Sequence, residues 1–338
     1  MKICLASGYK YNPDEGMKIF ALQMYKELSN HHHVIHINIR DNLFNKSFWF
    51  ELKKFNPDVI HFFLRPGLVT LGLAKIAKIY CQDAKLVISA LQPPLNRSLI
   101  QYWIPLLKPD LMLIQSDETE DVLNSYGCKT IFLPSGVDTT KFTQADNDLK
   151  ERLRKKYNIG KKKFVLLHVG HINRGRNLKV FKAINQNNRD LEIIIVGSPN
   201  TFNFDNDIYL ELKANMCNIW RDYLENIEEV YQIADCYVFP TKDKSYAIEI
   251  PLSILEAMAC NLPIITTNFG GLSRIFKEEN GFFFMKDEDD IGNKLENLRN
   301  NDLEIKTRDM VLFLSWYNIA QNLSNIYENL VHNKGDKK

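Results

Sequence analysis

The chain has no CxxC pair among its six cysteines, Cys4, Cys81, Cys128, Cys217, Cys236 and Cys260, and most of them sit in apolar runs. That argues against a disulfide framework or a zinc site and fits reduced, buried thiols in a cytoplasmic protein. An excess of either charge is also missing. The 43 Lys and Arg nearly balance 41 Asp and Glu, for a net charge of +2, so no global field draws the chain onto nucleic acid or lipid. No window supplies the roughly eighteen uninterrupted apolar residues of a membrane span, and the apolar stretch in MKICLASGYKYNP is too short for a signal peptide. There is no fixed-period repeat, and the only biased tract is the polar tail 333–338. No strand-like run ends in GxGxxG, which weighs against a nicotinamide-dependent dehydrogenase.

What is present is ordinary for a soluble enzyme: 45% apolar and 25% charged residues in 338. That length predicts two domains of roughly 150 residues. Short apolar runs alternate with segments of helical period, the pattern of a parallel sheet covered by helices. Strands are expected at 2–7, 33–39, 59–63, 86–90, 111–115 and 130–133, with a helix at 16–29. A charge-rich stretch at 138–163 reads as the linker. Strands resume at 164–169, 191–196, 218–220, 236–239, 264–267 and 281–284. The expected fold class is α/β, with two Rossmann-like doubly wound domains at 1–150 and 151–310 and a final helix at 311–332.

Two stretches carry candidate chemistry. In SYAIEIPLSILEAMACNLPII (245–265), Glu249 and Glu256 interrupt a segment otherwise apolar enough to be buried. The strand ends near Pro240, and a helix is expected at 253–260 with Pro251 at its first turn. Open α/β sheets bind ligands beyond the carboxyl ends of their strands, so both glutamates lie where a ligand would sit, with Thr241, Leu252 and Ser253 also expected on the donor. Glu256 is placed to accept hydrogen bonds from vicinal hydroxyls such as those of a ribose; a structural glutamate paired with a lysine is the other reading. The second stretch, VGHINRGRN (169–177), joins Gly170 to His171, Arg174 and Arg176 in a turn that opens a helix. Backbone amides, a helix N-terminus and guanidinium groups suit a diphosphate, although a solvated basic turn has the same composition.

The run SILEAMACNLPII (253–265), followed by TTNFGG, resembles the core signature of family 4 retaining glycosyltransferases of the GT-B fold. Other pieces agree in order: PDVIH (57–61), PSGVD (134–138) with Phe142, ADCYVFP (234–240), and Ser315–Trp316 with Tyr327. The resemblance implies two domains facing a cleft and a last helix crossing back onto the first. It also implies a nucleoside-diphosphate sugar, UDP- or GDP-linked, as donor, a glycan or lipid-linked acceptor, and no cofactor, catalytic metal or nucleic acid.

In that family the second glutamate of a Glu-x7-Glu motif holds the ribose, which matches Glu256. The first, which contacts the donor sugar, falls on Ile248, and Glu249 one residue later is assigned its role. Arg176 matches the family's diphosphate-binding lysine, His171 lies near its arginine, and Arg174 could replace either. Gly197 and Ser198 resemble its VGxG turn, while Arg274 departs from its usual glutamate. Gly16 is expected on the donor side; Tyr9, Tyr11, His61 and Gln92 are expected on the acceptor side, with His61 also readable as a core histidine.

The triplets 146–148 and 205–207 (DND) lie in polar loops without the strand that an Asp-x-Asp metal site needs, and read as solvated turns. Departures at Ile248, His171 and Arg274 keep open a non-catalytic binder of sugar nucleotides or a partner subunit. The apolar, basic segment 65–80 raises peripheral contact with the inner face of a membrane, against the alternative of a core-packed helix with a lysine edge.

Overall fold

The structure, a computed structural model, describes residues 1–8, 16–39, 46–95, 97–185, 190–197, 204–221, 224–288 and 290–332. The chain divides into two compact units. The first comprises Met1–Gly136, Ala247–Ile250 and Trp316–Lys338; the second comprises Val137–Tyr246 and Pro251–Ser315.

The first unit alternates β1 (Lys2–Ser7), α1 (Gly16–Leu28), β2 (His33–Asn38), α2 (Lys46–Phe55), β3 (Val59–Phe63) and α3 (Leu68–Tyr80). It continues with β4 (Lys85–Ala90), α4 (Arg97–Leu107), β5 (Leu111–Ile114), α5 (Asp117–Ser125) and β6 (Thr130–Phe132). All six strands are parallel, in the order β2-β1-β3-β4-β5-β6. The buried runs of β1 and β3 are apolar on both faces apart from Ser7 and His61, as a parallel sheet covered on both sides requires. On one face Phe48, Leu71, Ile100 and Leu123, from α2 to α5, join a single apolar cluster with Ala6, Phe62 and Ile88 of the strands. The last helix, α13 (Trp316–His332), packs beside α1. Trp316 meets Phe20 edge-on at 5.5 Å. A Cβ on Gly136 would fall 2.5 Å from the Trp316 ring, so that close approach needs glycine.

The second unit contains α6 (Asn147–Lys156), β7 (Phe164–Val169), α7 (Val180–Asn185), β8 (Leu191–Val196), α8 (Asn206–Ala214) and β9 (Asn218–Trp220). It continues with α9 (Ile227–Ile233), β10 (Cys236–Phe239), α10 (Leu252–Ala259), β11 (Ile264–Thr267), α11 (Leu272–Ile275), β12 (Phe282–Met285) and α12 (Asp290–Asn300). Its strands are also parallel, in the order β12-β11-β10-β7-β8-β9.

The stretch 138–163 is not a linker at 150. The unit boundary falls after Gly136, and the charge-rich residues form α6, capped by Asp146, whose side chain accepts from the Leu149 amide at 2.7 Å. Its cations are held against the second unit: Arg154 donates to Asp235 at 2.5 Å and Lys150 to Asp235 at 2.8 Å. Asp205, in the other triplet, caps α8 through the Asp207 and Ile208 amides, both at 3.1 Å. Both triplets are therefore helix caps rather than free turns.

Candidate active site

In the second sheet the order reverses on either side of the neighbours β7 and β10, which places a topological switch point beyond their carboxyl ends. β7 runs into Gly170 and a short 3-10 turn, Arg174–Arg176, stopped by Asn177 in the left-handed region at φ 54°. β10 runs into Pro240 and Thr241.

Arg176 is 93% removed from solvent, its relative exposure being 7%. Its guanidinium lies 5.5 Å from the centre of the Phe239 ring, and Nε has no hydrogen-bond partner among the described residues. Burial pushes its pKa down to about 10; the opposing influence is the Tyr237 phenol rather than a carboxylate. The group stays cationic at neutral pH. A buried cation without a counter-charge is costly unless an anion joins it.

Gly170 admits that cation. A Cβ there would stand 3.3 Å from Arg176 Nη1 and 3.1 Å from His168 Nε2. His168 is buried with Nδ1 2.9 Å from the Val238 carbonyl, which fixes Nδ1 as the protonated nitrogen. Burial lowers its pKa to about 3, so it is neutral, and Nε2 has no hydrogen-bond partner among the described residues. Asn173 Oδ1 and Thr241 Oγ1 are likewise buried without partners among the described residues. Four such atoms near one sheet edge exceed what a core tolerates and mark a polar ligand site.

Helix α10 contributes Glu256. The half-buried carboxylate accepts from the Tyr231 hydroxyl at 2.6 Å, and burial raises its pKa while that bond opposes the rise. Ser253 is half-buried in the first turn of α10 and bonds to Tyr237. Leu252 is buried core. Tyr246 lies against Gly175, where a Cβ would come within 2.0 Å of its ring.

The remaining expected site residues separate from this group. Arg174 is 80% exposed in its side chain and pairs with Asp205 at 2.8 Å, away from the buried cradle. His171 is half-buried in the same turn. Gly197 faces Ile172 at 3.0 Å, a packing contact. Tyr9, Tyr11 and Ser198 lie outside the described residues.

In the first unit His61 is fully buried, with Nδ1 2.5 Å from the Tyr327 hydroxyl and Nε2 2.8 Å from Ser89 Oγ. Both ring nitrogens are used and burial lowers the pKa to about 3. This is the core histidine, and the acceptor-side expectation is corrected. Gly16 faces Ile248 Cδ1 at 3.0 Å, and Gln92 Nε2 donates to the Ala247 carbonyl at 3.3 Å.

Those contacts reveal where Glu249 lies. The segment Ala247–Ile250 belongs to the first unit, whereas Glu256 belongs to the second. Glu249 is fully buried at the N-terminus of α5, its Oε1 accepting from Ser116 Oγ and Thr119 Oγ1, each at 2.7 Å. Its amide donates to the Leu91 carbonyl at 2.8 Å, and the Ile250 carbonyl accepts from Ser135 Oγ at 2.9 Å. The expectation of two glutamates at one strand end is corrected to one carboxylate in each unit. Sequence reasoning also passed over His168, Asn173, Tyr231, Phe239 and Tyr246. The one available signal was the pair of polar residues flanking Arg174 and Arg176 in NRGRN.

Residues 150–316 match the family model described as glycosyl transferases group 1. Among curated proteins, D-inositol 3-phosphate glycosyltransferase of Corynebacterium jeikeium is 27% identical over 180 residues, covering 48% of this chain and 42% of the relative. The Escherichia coli UDP-Gal:alpha-D-GlcNAc-diphosphoundecaprenol alpha-1,3-galactosyltransferase is 30% identical over 164 residues, covering 45% and 40%. The match thus spans well under two thirds of these relatives' length. Among solved structures, sucrose-phosphate synthase from Thermosynechococcus elongatus superposes with a TM-score of 0.78 at 16% identity, over 98% of this chain and 99% of that one. Anabaena HepE in complex with UDP gives 0.78 at 13% identity, over 97% and 100%. Residues 150–316 thus match the glycosyl transferases group 1, and the two six-stranded parallel sheets, each covered by helices, have the Rossmann-like α/β architecture of the GT-B fold.

Proposed function

We propose that this chain transfers a glycosyl group from a nucleoside-diphosphate sugar, UDP-linked by preference, to an acceptor hydroxyl with retention of anomeric configuration. The observation that carries the reading is the buried Arg176 guanidinium beside Gly170, a cation that no described carboxylate balances. A diphosphate supplies the missing charge, receiving the guanidinium N–H groups and backbone amides of the turn. Glu256 takes the ribose hydroxyls, steadied by Tyr231. The UDP in the HepE structure and the UDP-Gal in the name of the Escherichia coli relative support a nucleotide-sugar, and the undecaprenol-linked acceptor of that relative supports an envelope glycan.

In the reaction the bond from the anomeric carbon to the diphosphate oxygen breaks and a bond to the acceptor oxygen forms. The acceptor proton leaves with the diphosphate. Arg176 stabilises the charge that grows on the leaving group, an electrostatic contribution strongest in a water-poor site. The proposal assigns that charge to Arg176 rather than to a metal ion, so a chelator should leave turnover intact. Glu249, held through Oε1 by Ser116 and Thr119, acts here by positioning its segment.

Titration of the full chain with UDP-, GDP- and ADP-sugars tests the reading, with Arg176→Gln as control. Donor binding weakened at least about tenfold in the variant supports it; equal binding overturns it. Product anomer analysis by NMR decides retention. Arg174 paired with Asp205 favours a second reading, a sugar-nucleotide binder without turnover. Release of nucleoside diphosphate over an acceptor panel separates the two.

A further inference from the structure

In the first unit, α2, α3 and α4 cover the same sheet face, and α3 packs directly on α4. The outward side of α4 is apolar. The helix buries Ile100 and Ile104 yet exposes Leu99, Tyr102, Trp103 and Leu106, whose spacing forms one stripe along the helix. Tyr102 is 75% exposed and Leu106 66%. No charged residue occurs in its run SLIQYWIPLL (98–107). A surface helix normally turns charge to water, and one that is apolar all round is buried in something.

The neighbouring α3 repeats the pattern. Val69, at 73% exposure, stands with Ile76 and Ile79 on its outer side, and a side chain at Gly72 between them would meet nothing within 4 Å. Contiguous apolar surface across two helices marks an interaction face.

Charge distinguishes between occupants. Residues 65–110 hold six basic side chains, Arg65, Lys75, Lys78, Lys85, Arg97 and Lys108, against two acidic, Asp83 and Asp110, the latter 4.0 Å from Lys78 Nζ. Lys75 lies exposed next to the α3 stripe. A second copy of this chain would bring like charges together, which is repulsive. An anionic bilayer offers opposite charge to the lysines and an apolar layer to the side chains between them, and Trp and Tyr favour its interface.

We propose that the outward face of α3 and α4 docks on an anionic phospholipid membrane, with Tyr102, Trp103, Leu106, Val69 and Ile79 entering the interface and Lys75 at headgroup level. This goes beyond the donor chemistry proposed above and does not depend on it, since binding to vesicles is measured without donor or acceptor.

Co-sedimentation of the full chain with phosphatidylcholine vesicles, with and without about 30% phosphatidylglycerol, reads it out. Binding at least about tenfold stronger to the anionic vesicles is expected, weakening severalfold between about 0.1 M and about 0.5 M salt. Trp103→Ser with Leu106→Ser is expected to reduce partitioning by about tenfold or more. Val69→Ser with Ile79→Ser, on the other helix, should do the same. Circular dichroism identifies the variants that remain folded, so failure of one pair leaves the other to decide. Absence of sedimentation with either vesicle, or sedimentation that both pairs leave intact, overturns the proposal. So does a concentration-dependent dimer that the same substitutions abolish.

Discussion

Ser116 Oγ lies 2.7 Å from Glu249 Oε1 although the two residues are 133 positions apart, and the same hydroxyl accepts from the Thr119 amide at the start of α5. A carboxylate at this helix N-terminus is favoured by the helix dipole and by two hydroxyl donors. Glu249→Gln should therefore lower the stability of the first unit by about 1–2 kcal/mol while donor affinity is unchanged. Thermal unfolding with and without UDP checks this. An unaltered melting curve with turnover cut tenfold or more, by about 1.4 kcal/mol or more, would instead place Glu249 against the donor sugar.

Arg176→Met should separate binding from folding. Removing a buried cation that no described carboxylate balances costs the fold little or nothing, whereas loss of charged hydrogen bonds to a diphosphate should weaken donor binding by roughly 2–3 kcal/mol. Calorimetric titration beside denaturant unfolding measures both. A severe loss of stability with donor affinity intact would make Arg176 a structural residue.

Glu256 predicts a pH dependence. Burial raises its carboxyl above the ordinary 4.5, so the folded chain keeps that proton to a higher pH than the unfolded chain. The resulting stabilisation is full below 4.5 and is lost as pH rises through the raised value. Ribose hydroxyls donate to the ionised form, so donor affinity should rise with pH over the same window, with a proton released on binding. Tyr231→Phe removes the bond that opposes the rise, moving the onset of both effects to higher pH. Glu256→Gln abolishes both. Titrations in buffers of different ionisation enthalpy count the proton.

Gly175 and Tyr246 should be coupled. A methyl group on Gly175 would overlap the tyrosine ring at 2.0 Å, so Gly175→Ala alone should cost about 1–3 kcal/mol through forced repacking. In the double variant with Tyr246→Ala that penalty should largely vanish. A purely additive double variant would show that the ring does not pack on this turn.

The strands of both sheets were legible because each is a short apolar run with its own stop. The runs expected at 164–169, 191–196 and 264–267 coincide with β7, β8 and β11. The turn after β7 was legible too, as a strand followed by glycine and arginines. The stretch 138–163 misled because its charges look solvated in sequence; their pairing with Asp235, about eighty residues away, makes them one wall of the second unit.

What the sequence by itself determined is local: hydrophobic period, helix caps such as Asp146 and Asp205, and the motifs of 150–316 that match the glycosyl transferases group 1. Which polar groups are left over is decided only in three dimensions, because satisfaction depends on partners brought from elsewhere in the chain. His61 spends both nitrogens on Ser89 and Tyr327, and Glu249 its Oε1 on Ser116 and Thr119. Arg176, two residues from a similar arginine, is buried over Phe239 with its charge unmatched among the described residues, while Arg174 pairs with Asp205 in solvent. Residues of the same type differ in what they can do because tertiary packing removes water from one and supplies a counter-charge to the other.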